Sequence, residues 1–220
     1  MKHSRARRVA AVAAALVTGL LATATPALAA NPPGVASVAW ADFTKAGDQT
    51  LIDDLAPCAV DGRTTNTSGP VSDSGVKFGS GSSSCTTTVV DADNDVTTTK
   101  SEAIGSNFEL SALVAAGGPR LKLASWRITC QADQYGTRAG WGVGGLSGFP
   151  ALPPVVPANF SLPLKKATGA VLATVTFAEV TLPNPNDGSI DLNLLHVRFQ
   201  PASGISGELV VGHAACSPTP

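Results

Sequence analysis

Thr86-Thr87-Thr88-Val89-Val90, then Asp91-Ala92-Asp93-Asn94-Asp95, then Val96-Thr97-Thr98-Thr99 is the stretch from which the fold is read. Two β-branched runs flank a short acidic segment. Branching at Cβ restricts χ1 and suits an extended, pleated backbone. Asp and Asn hydrogen-bond their own backbone and tolerate turn geometry. The stretch therefore predicts a β-hairpin with its tip at Asp93-Asn94-Asp95.

Similar signals recur outward from that hairpin. Phe108, Leu110, Ala112 and Val114 alternate with Asn107, Glu109 and Ser111 until Gly117-Gly118-Pro119 breaks the chain. Strict alternation over 121–130 places Lys122, Ala124, Trp126, Ile128 and Cys130 on one face. Val171 to Leu182 reads as a strand with Val171, Ala173, Val175 and Phe177 pointing one way, and Asn184-Pro185-Asn186-Asp187-Gly188 is a turn. In the next strand, Ile190 to Phe199, the apolar set changes face between Ile190/Leu192/Leu194 and Leu195/Val197/Phe199. That switch implies a bulge, or a strand covered on both sides. Glu208 to Cys216 closes the series. The only helix candidate, Asp42 to Leu55, offers little more than one turn before Pro57. Strands joined by turns, without helices between them, predict an all-β fold: an antiparallel sandwich or a barrel-like domain. Two stretches read as irregular, a Gly/Ser/Thr-rich loop over 61–84 and a Gly/Pro-rich loop over 141–164.

Composition narrows the function. The chain has 220 residues, with 15 Lys+Arg and 16 Asp+Glu. Met1 to Ala30 reads as an export signal: Lys2, Arg5, Arg7 and Arg8, an apolar run from Val9 to Leu21, and the small-residue site Ala27-Leu28-Ala29. Arg7-Arg8 fits an ordinary signal better than a twin-arginine one, because the following residues do not complete that motif. Cleavage takes all four of those basic residues and no acidic one, leaving 15 − 4 = 11 basic against 16 acidic side chains, net about −5. A chain of that charge lacks the positive patch that neutralising phosphates requires, so nucleic-acid binding is not expected. No later segment is long and apolar enough to insert in a membrane. Residues 31–220 are expected to form one secreted β-rich domain, free in the medium or loosely held at the cell wall.

Cys58, Cys85, Cys130 and Cys216 are even in number and far apart, which favours disulfides over a metal site in an oxidising compartment. Three pairings are possible. Cys58–Cys85 with Cys130–Cys216 is preferred, each bridge closing its own half of the chain. Chain entropy makes the first worth roughly 3 kcal/mol and the second roughly 4–5 kcal/mol.

Trp126-Arg-Ile-Thr-Cys130-Gln-Ala-Asp133, the Val171–Leu182 strand, the Asn-Pro-Asn-Asp-Gly turn, Leu194-Leu-His-Val-Arg-Phe199 and Val210-Val-Gly-His-Ala-Ala-Cys216 occur in a characteristic order. Over roughly 86–216 the chain resembles the choice-of-anchor P family, secreted proteins of high-GC Gram-positive bacteria. The resemblance implies an extracellular β-rich body of unestablished biochemical role. It brings no catalytic residues with it, and it supports pairing Cys130 with Cys216. The C-terminus shows no sorting motif or apolar tail, unlike the anchored members.

Candidate sites are few. Asp91, Asp93, Asp95 and Glu102 occupy positions 1, 3, 5 and 12 of an EF-hand-like spacing, which makes them a weak Ca²⁺ candidate. Position 6 is Val96, where the sharp turn needs glycine, no helices flank the segment, and a solvated hairpin tip explains the acids better. His196 and His213 lie near Asp191 and Glu208, and either could serve a secreted hydrolase as general base. No nucleophile elbow accompanies them, since Gly145-Leu-Ser147-Gly148-Phe149 fails at its last position. Among the tryptophans, Trp126 alternates with core positions, whereas Trp141 sits among Gly140, Gly142, Gly144 and Gly145. Trp141, with Tyr135 and Arg138 on the same hairpin, is the binding candidate. The expected role is a non-catalytic extracellular or cell-surface module, without a cofactor, meeting a cell-wall or extracellular partner. A hydrolase and a small-ligand or Ca²⁺ binder are the alternatives.

Overall fold

The computed structural model describes residues 31–218, so the export segment lies outside the described residues. Fourteen strands hold most of them, joined by turns, loops and two short 3₁₀ segments. In chain order they are β1 (Gly34–Lys45), β2 (Asp48–Leu55), β3 (Cys58–Ala59), β4 (Thr65–Ser68), β5 (Val71–Asp73), β6 (Val76–Phe78), β7 (Gly81–Asp91), β8 (Val96–Leu110), β9 (Leu121–Asp133), β10 (Gly136–Gly144), β11 (Phe160–Lys165), β12 (Val171–Thr181), β13 (Ile190–Phe199) and β14 (Ile205–Cys216).

They form two seven-stranded antiparallel sheets. Sheet A runs β11-β12-β13-β14-β1-β2, with β3 also on β1. Sheet B runs β10-β9-β8-β6-β5, with β7 pairing β8 and β4 beyond β7. The sheets stack as a sandwich, and β1 and β14 lie over β7, β8 and β9. Between them Phe43 meets Phe199 at 5.1 Å and Phe78 meets Phe108 at 5.6 Å. Both predicted disulfides form, each closing a loop within its own half of the chain, and each also joins the two sheets. Cys58 of β3 reaches Cys85 of β7, and Cys130 of β9 reaches Cys216 of β14, so each bridge ties sheet A to sheet B.

The change of face read in β13 is real and extends across the sheet. Phe177, Leu195, Val211 and Ala39 lie in register across four strands, and all are buried. So are Ala178, Leu194 and Val38 in the adjoining row, where Gly212 completes it. Two successive rows therefore enter the core, and alternation inverts beyond them. The backbone accommodates this with positive φ at Ala178 (46°) and Gly212 (72°). A Cβ on Gly212 would meet Leu194 Cβ at 3.1 Å, which leaves glycine as the fitting residue. Sheet B has the opposite break. Asn107 and Gly145 take positive φ (55° and 64°), and Ser106/Asn107 and Ala124/Ser125 are successive residues outside the core.

That second break corrects the face assigned to β9. Trp126, Ile128 and Cys130 are buried as expected, but Lys122 and Ala124 are exposed, with Leu121 and Leu123 buried instead. Trp126 lies flat on Gly105, where a Cβ would come within 2.1 Å of the indole Cζ2. Three further expectations change. The weak helix at 42–55 is the β1–β2 hairpin, because each strand finds a partner. The loop at 61–84 contains β4, β5, β6 and the start of β7. The loop at 141–164 is shorter, since β10 continues through Gly144 and β11 begins at Phe160.

Candidate binding site

β9 alternates Trp126, Ile128 and Cys130 inward with Arg127, Thr129 and Gln131 outward. Those three outward residues pair across the strands with Gly142, Gly140 and Arg138 of β10. On their other side they face Ile104, Glu102 and Lys100 of β8, which pair in turn with Ser82, Ser84 and Thr86 of β7. Alternation thus builds a flat outer face of three rows and four strands: Arg138–Gln131–Lys100–Thr86, Gly140–Thr129–Glu102–Ser84 and Gly142–Arg127–Ile104–Ser82. At the β10 side of this face the glycines contribute no side chain, and a groove of about 470 Å³ opens over bare backbone. Lys100, Arg127, Thr129, Gln131, Gly140, Trp141 and Gly142 line it.

Electrostatics organise the middle of the groove. Glu102 Oε2 accepts from Lys100 Nζ at 2.9 Å and from Arg127 at 2.6 Å. Burial works to raise the Glu102 carboxyl, but the hydrogen bonds and charges of Lys100 and Arg127 outweigh it and hold it below the ordinary carboxylate range. Both cations stay about half exposed, with side chains 47% and 57% accessible. One carboxylate thus serves two cations, and their remaining N–H donors point to solvent-accessible space.

Trp141 is at this groove, though its strand position differs from that of an outward platform. Its register partner is the core residue Ile128, and its neighbours Ala139 and Val143 pack on the core. It remains 38% exposed because β10 is an edge strand with nothing beyond it. Arg138 faces outward and pairs with Asp133 at 3.6 Å. Tyr135 is at the β9–β10 turn, 86% exposed. Six residues separate it from Trp141, about 20 Å of extended chain, and it does not line the groove. The sequence therefore located one groove residue and missed Lys100, Arg127, Thr129 and Gln131. Their signal was the outward half of the alternation already used to place Trp126 and Ile128 in the core.

The acidic spacing at 91–102 does not assemble. Asp91 caps the turn, accepting from the Asn94 side chain at 2.7 Å and from the backbone N–H of Asp93 at 3.0 Å. The Asn94 side chain, and then the Asp93 backbone, hold its carboxyl below the usual range. Glu102 is seven residues beyond Asp95 along an extended strand, about 23 Å away, and is committed to Lys100 and Arg127. An EF-hand loop needs two flanking helices and a tight reversal to bring position 12 back; a β-hairpin carries it away. Among the described residues no group of three or more His, Cys, Asp and Glu side chains is placed to hold a metal ion.

The histidines lie on the outer face of sheet A. His196 Nδ1 is 2.5 Å from Glu179 and Nε2 is 2.9 Å from Glu208, with Trp40 edge-on at 6.4 Å. Arg198 also binds Glu179, at 2.6 Å. Burial acts to raise the Glu179 carboxyl, but the hydrogen bonds from His196 and Arg198 overcome it and hold it below its ordinary value. His213 is directly across from Ser37, yet the two do not hydrogen-bond to each other. Ser37 Oγ donates to Asp54 at 3.0 Å, and His213 Nε2 lies 3.0 Å from Asp191. Both ring nitrogens of His196 are engaged by carboxylates, which differs from a catalytic triad, where one nitrogen faces the nucleophile; His213 holds one carboxylate, Asp191, through Nε2.

No helix among the described residues is long and apolar enough to cross a membrane. No protein-family model, curated protein or solved structure matches the chain.

Proposed function

We propose that the chain is a secreted, non-catalytic binding module that holds a polyhydroxylated ligand, a glycan, in the glycine-floored groove of sheet B. The carrying observation is the groove itself. Gly140 and Gly142 let a ligand approach the backbone, and Thr129, Gln131, Lys100 and Arg127 supply hydroxyl, amide and cationic partners. A few convergent polar groups over exposed backbone suit sugar hydroxyls. The two disulfides and the export-type first thirty residues support an extracellular place for it. The resemblance to choice-of-anchor P proteins points to the cell surface.

Native mass spectrometry tests this reading on the mature protein isolated from culture medium. It is also incubated with neutral and acidic oligosaccharides. A non-covalent mass increase is expected, absent from the Gly142→Val variant, with the oligosaccharide recovered at its original length. Retention in that variant overturns the site, and a shortened oligosaccharide overturns the non-catalytic role.

A further inference from the structure

We infer that the ligand is an anionic polysaccharide carrying carboxylates, an inference that rests on the groove reading above. Lys100, Arg127 and Arg138 in the three outward rows stand against Glu102 and against Asp133 at the hairpin end, which pairs with Arg138, an excess of one positive charge on a chain whose formal net charge is −1. On sheet A, His196 and Arg198 are matched by Glu179 and Glu208. At the β8–β9 end Arg120 and Lys122 likewise share Glu109, but the cavity there is about 230 Å³, half the volume of the groove.

The face is tiled with small hydroxyls as well as cations. Ser82, Ser84, Thr86 and Thr129 share the three rows with Gln131. Four strands and three rows cover about 14 by 13 Å, so an extended polymer can lie across the face. Arg127 retains N–H donors beyond the one given to Glu102, and its fork matches a carboxylate. The chain as a whole is acidic, so long-range attraction of polyanions is weak and selection rests on short-range contacts at these rows. Nucleic acid would need a far more basic surface.

The mature protein, with both disulfides intact, is titrated calorimetrically with oligogalacturonate, an uncharged malto-oligosaccharide of equal length, and polyphosphate. Oligogalacturonate is expected to bind tightest and to weaken with salt. Exposed charge pairs are worth up to about fivefold each, so Lys100→Gln with Arg127→Gln should lower its affinity by about tenfold. Glu102→Gln frees both cations and should raise the affinity several-fold. Melting curves confirm that these surface variants fold. Equal binding of the neutral oligosaccharide, or indifference to Glu102→Gln, overturns the charge selection and leaves the glycan reading standing. Polyphosphate binding as tightly as oligogalacturonate overturns the saccharide class. Failure of both oligosaccharides, or binding untouched by Gly142→Val, overturns the groove reading together with this inference.

Discussion

Replacing Gly142 with valine separates what the groove does for ligand from what it does for the fold. An added Cβ at this position meets nothing within 4 Å, and the residue is outside the positive-φ region. Losing glycine's freedom in the unfolded chain contributes about 0.4–1 kcal/mol. Strand propensity adds part of a scale about 1 kcal/mol wide, less at an edge. The variant should therefore be about 1 kcal/mol more stable, raising Tm by about 2–4 °C for a chain of this length. Gly140→Val should gain less, because its Cβ would meet Thr129 Oγ1 at 3.0 Å and the hydroxyl must rotate. Gly105→Ala should go the other way by about 1–3 kcal/mol or more, since the new carbon falls 2.1 Å from the buried Trp126 ring. Urea unfolding followed by tryptophan fluorescence orders the three, and calorimetry follows binding in the same samples. A destabilised Gly142→Val would refute the open-shelf geometry. A stabilised variant with unchanged binding would refute the functional reason for keeping glycine there.

Both disulfides cross the core, so their removal isolates loop entropy. The sequence separations of 86 and 27 make Cys130→Ala/Cys216→Ala about 1 kcal/mol more damaging than Cys58→Ala/Cys85→Ala; the reverse order of urea midpoints would show that stapling β3 outweighs loop length. Glu179 has a lowered folded-state pKa, so its stabilisation is full above its ordinary value of 4.5 and is lost as pH falls through the lower folded value. Glu179→Gln should thus be less stable than the parent at pH 7, with the gap narrowing as the pH falls below 4.5 in urea titrations; a gap that widens in acid contradicts the assignment. Gly212→Ala combines a positive φ with a contact at 3.1 Å and should lower stability by more than about 1 kcal/mol, read as a fall in urea midpoint at constant m.

The β-class of the fold was legible because its strongest signals are local. The β-branched runs around Asp93-Asn94-Asp95 became the β7–β8 hairpin, and Ile190–Phe199 matched β13 residue for residue. The pairing of Cys130 with Cys216 was preferred correctly, but its role between sheets depends on layering that no spacing encodes. The short strands β4, β5 and β6 were read as loop because Thr65–Ser68 and Val71–Asp73 carry no hydrophobic period and Val76–Phe78 is only one alternation long; pairing of β4 with β7, β5 with β6 and β6 with β8 makes them strands. Lys122 and Ala124 were assigned inward because one unbroken alternation was assumed, and Asn107 and Gly145 show where it slips. Trp141 was legible from its glycine context. Its companions were not, because Lys100 and Arg127 are brought together only by the β8–β9 register, not by closeness along the chain.

The double apolar row across β12, β13, β14 and β1 also limits how the chain can change length. Each of these strands has opposite parity on the two sides of that row. Deleting one residue from β13 near Leu194 would restore plain alternation in that strand while its three companions kept the slip. Half of its side chains would then exchange core for solvent. The four strands are thus coupled as a phase-locked set, and tolerable insertions are confined to the turns, of which 182–189 and 145–159 are the longest nearby.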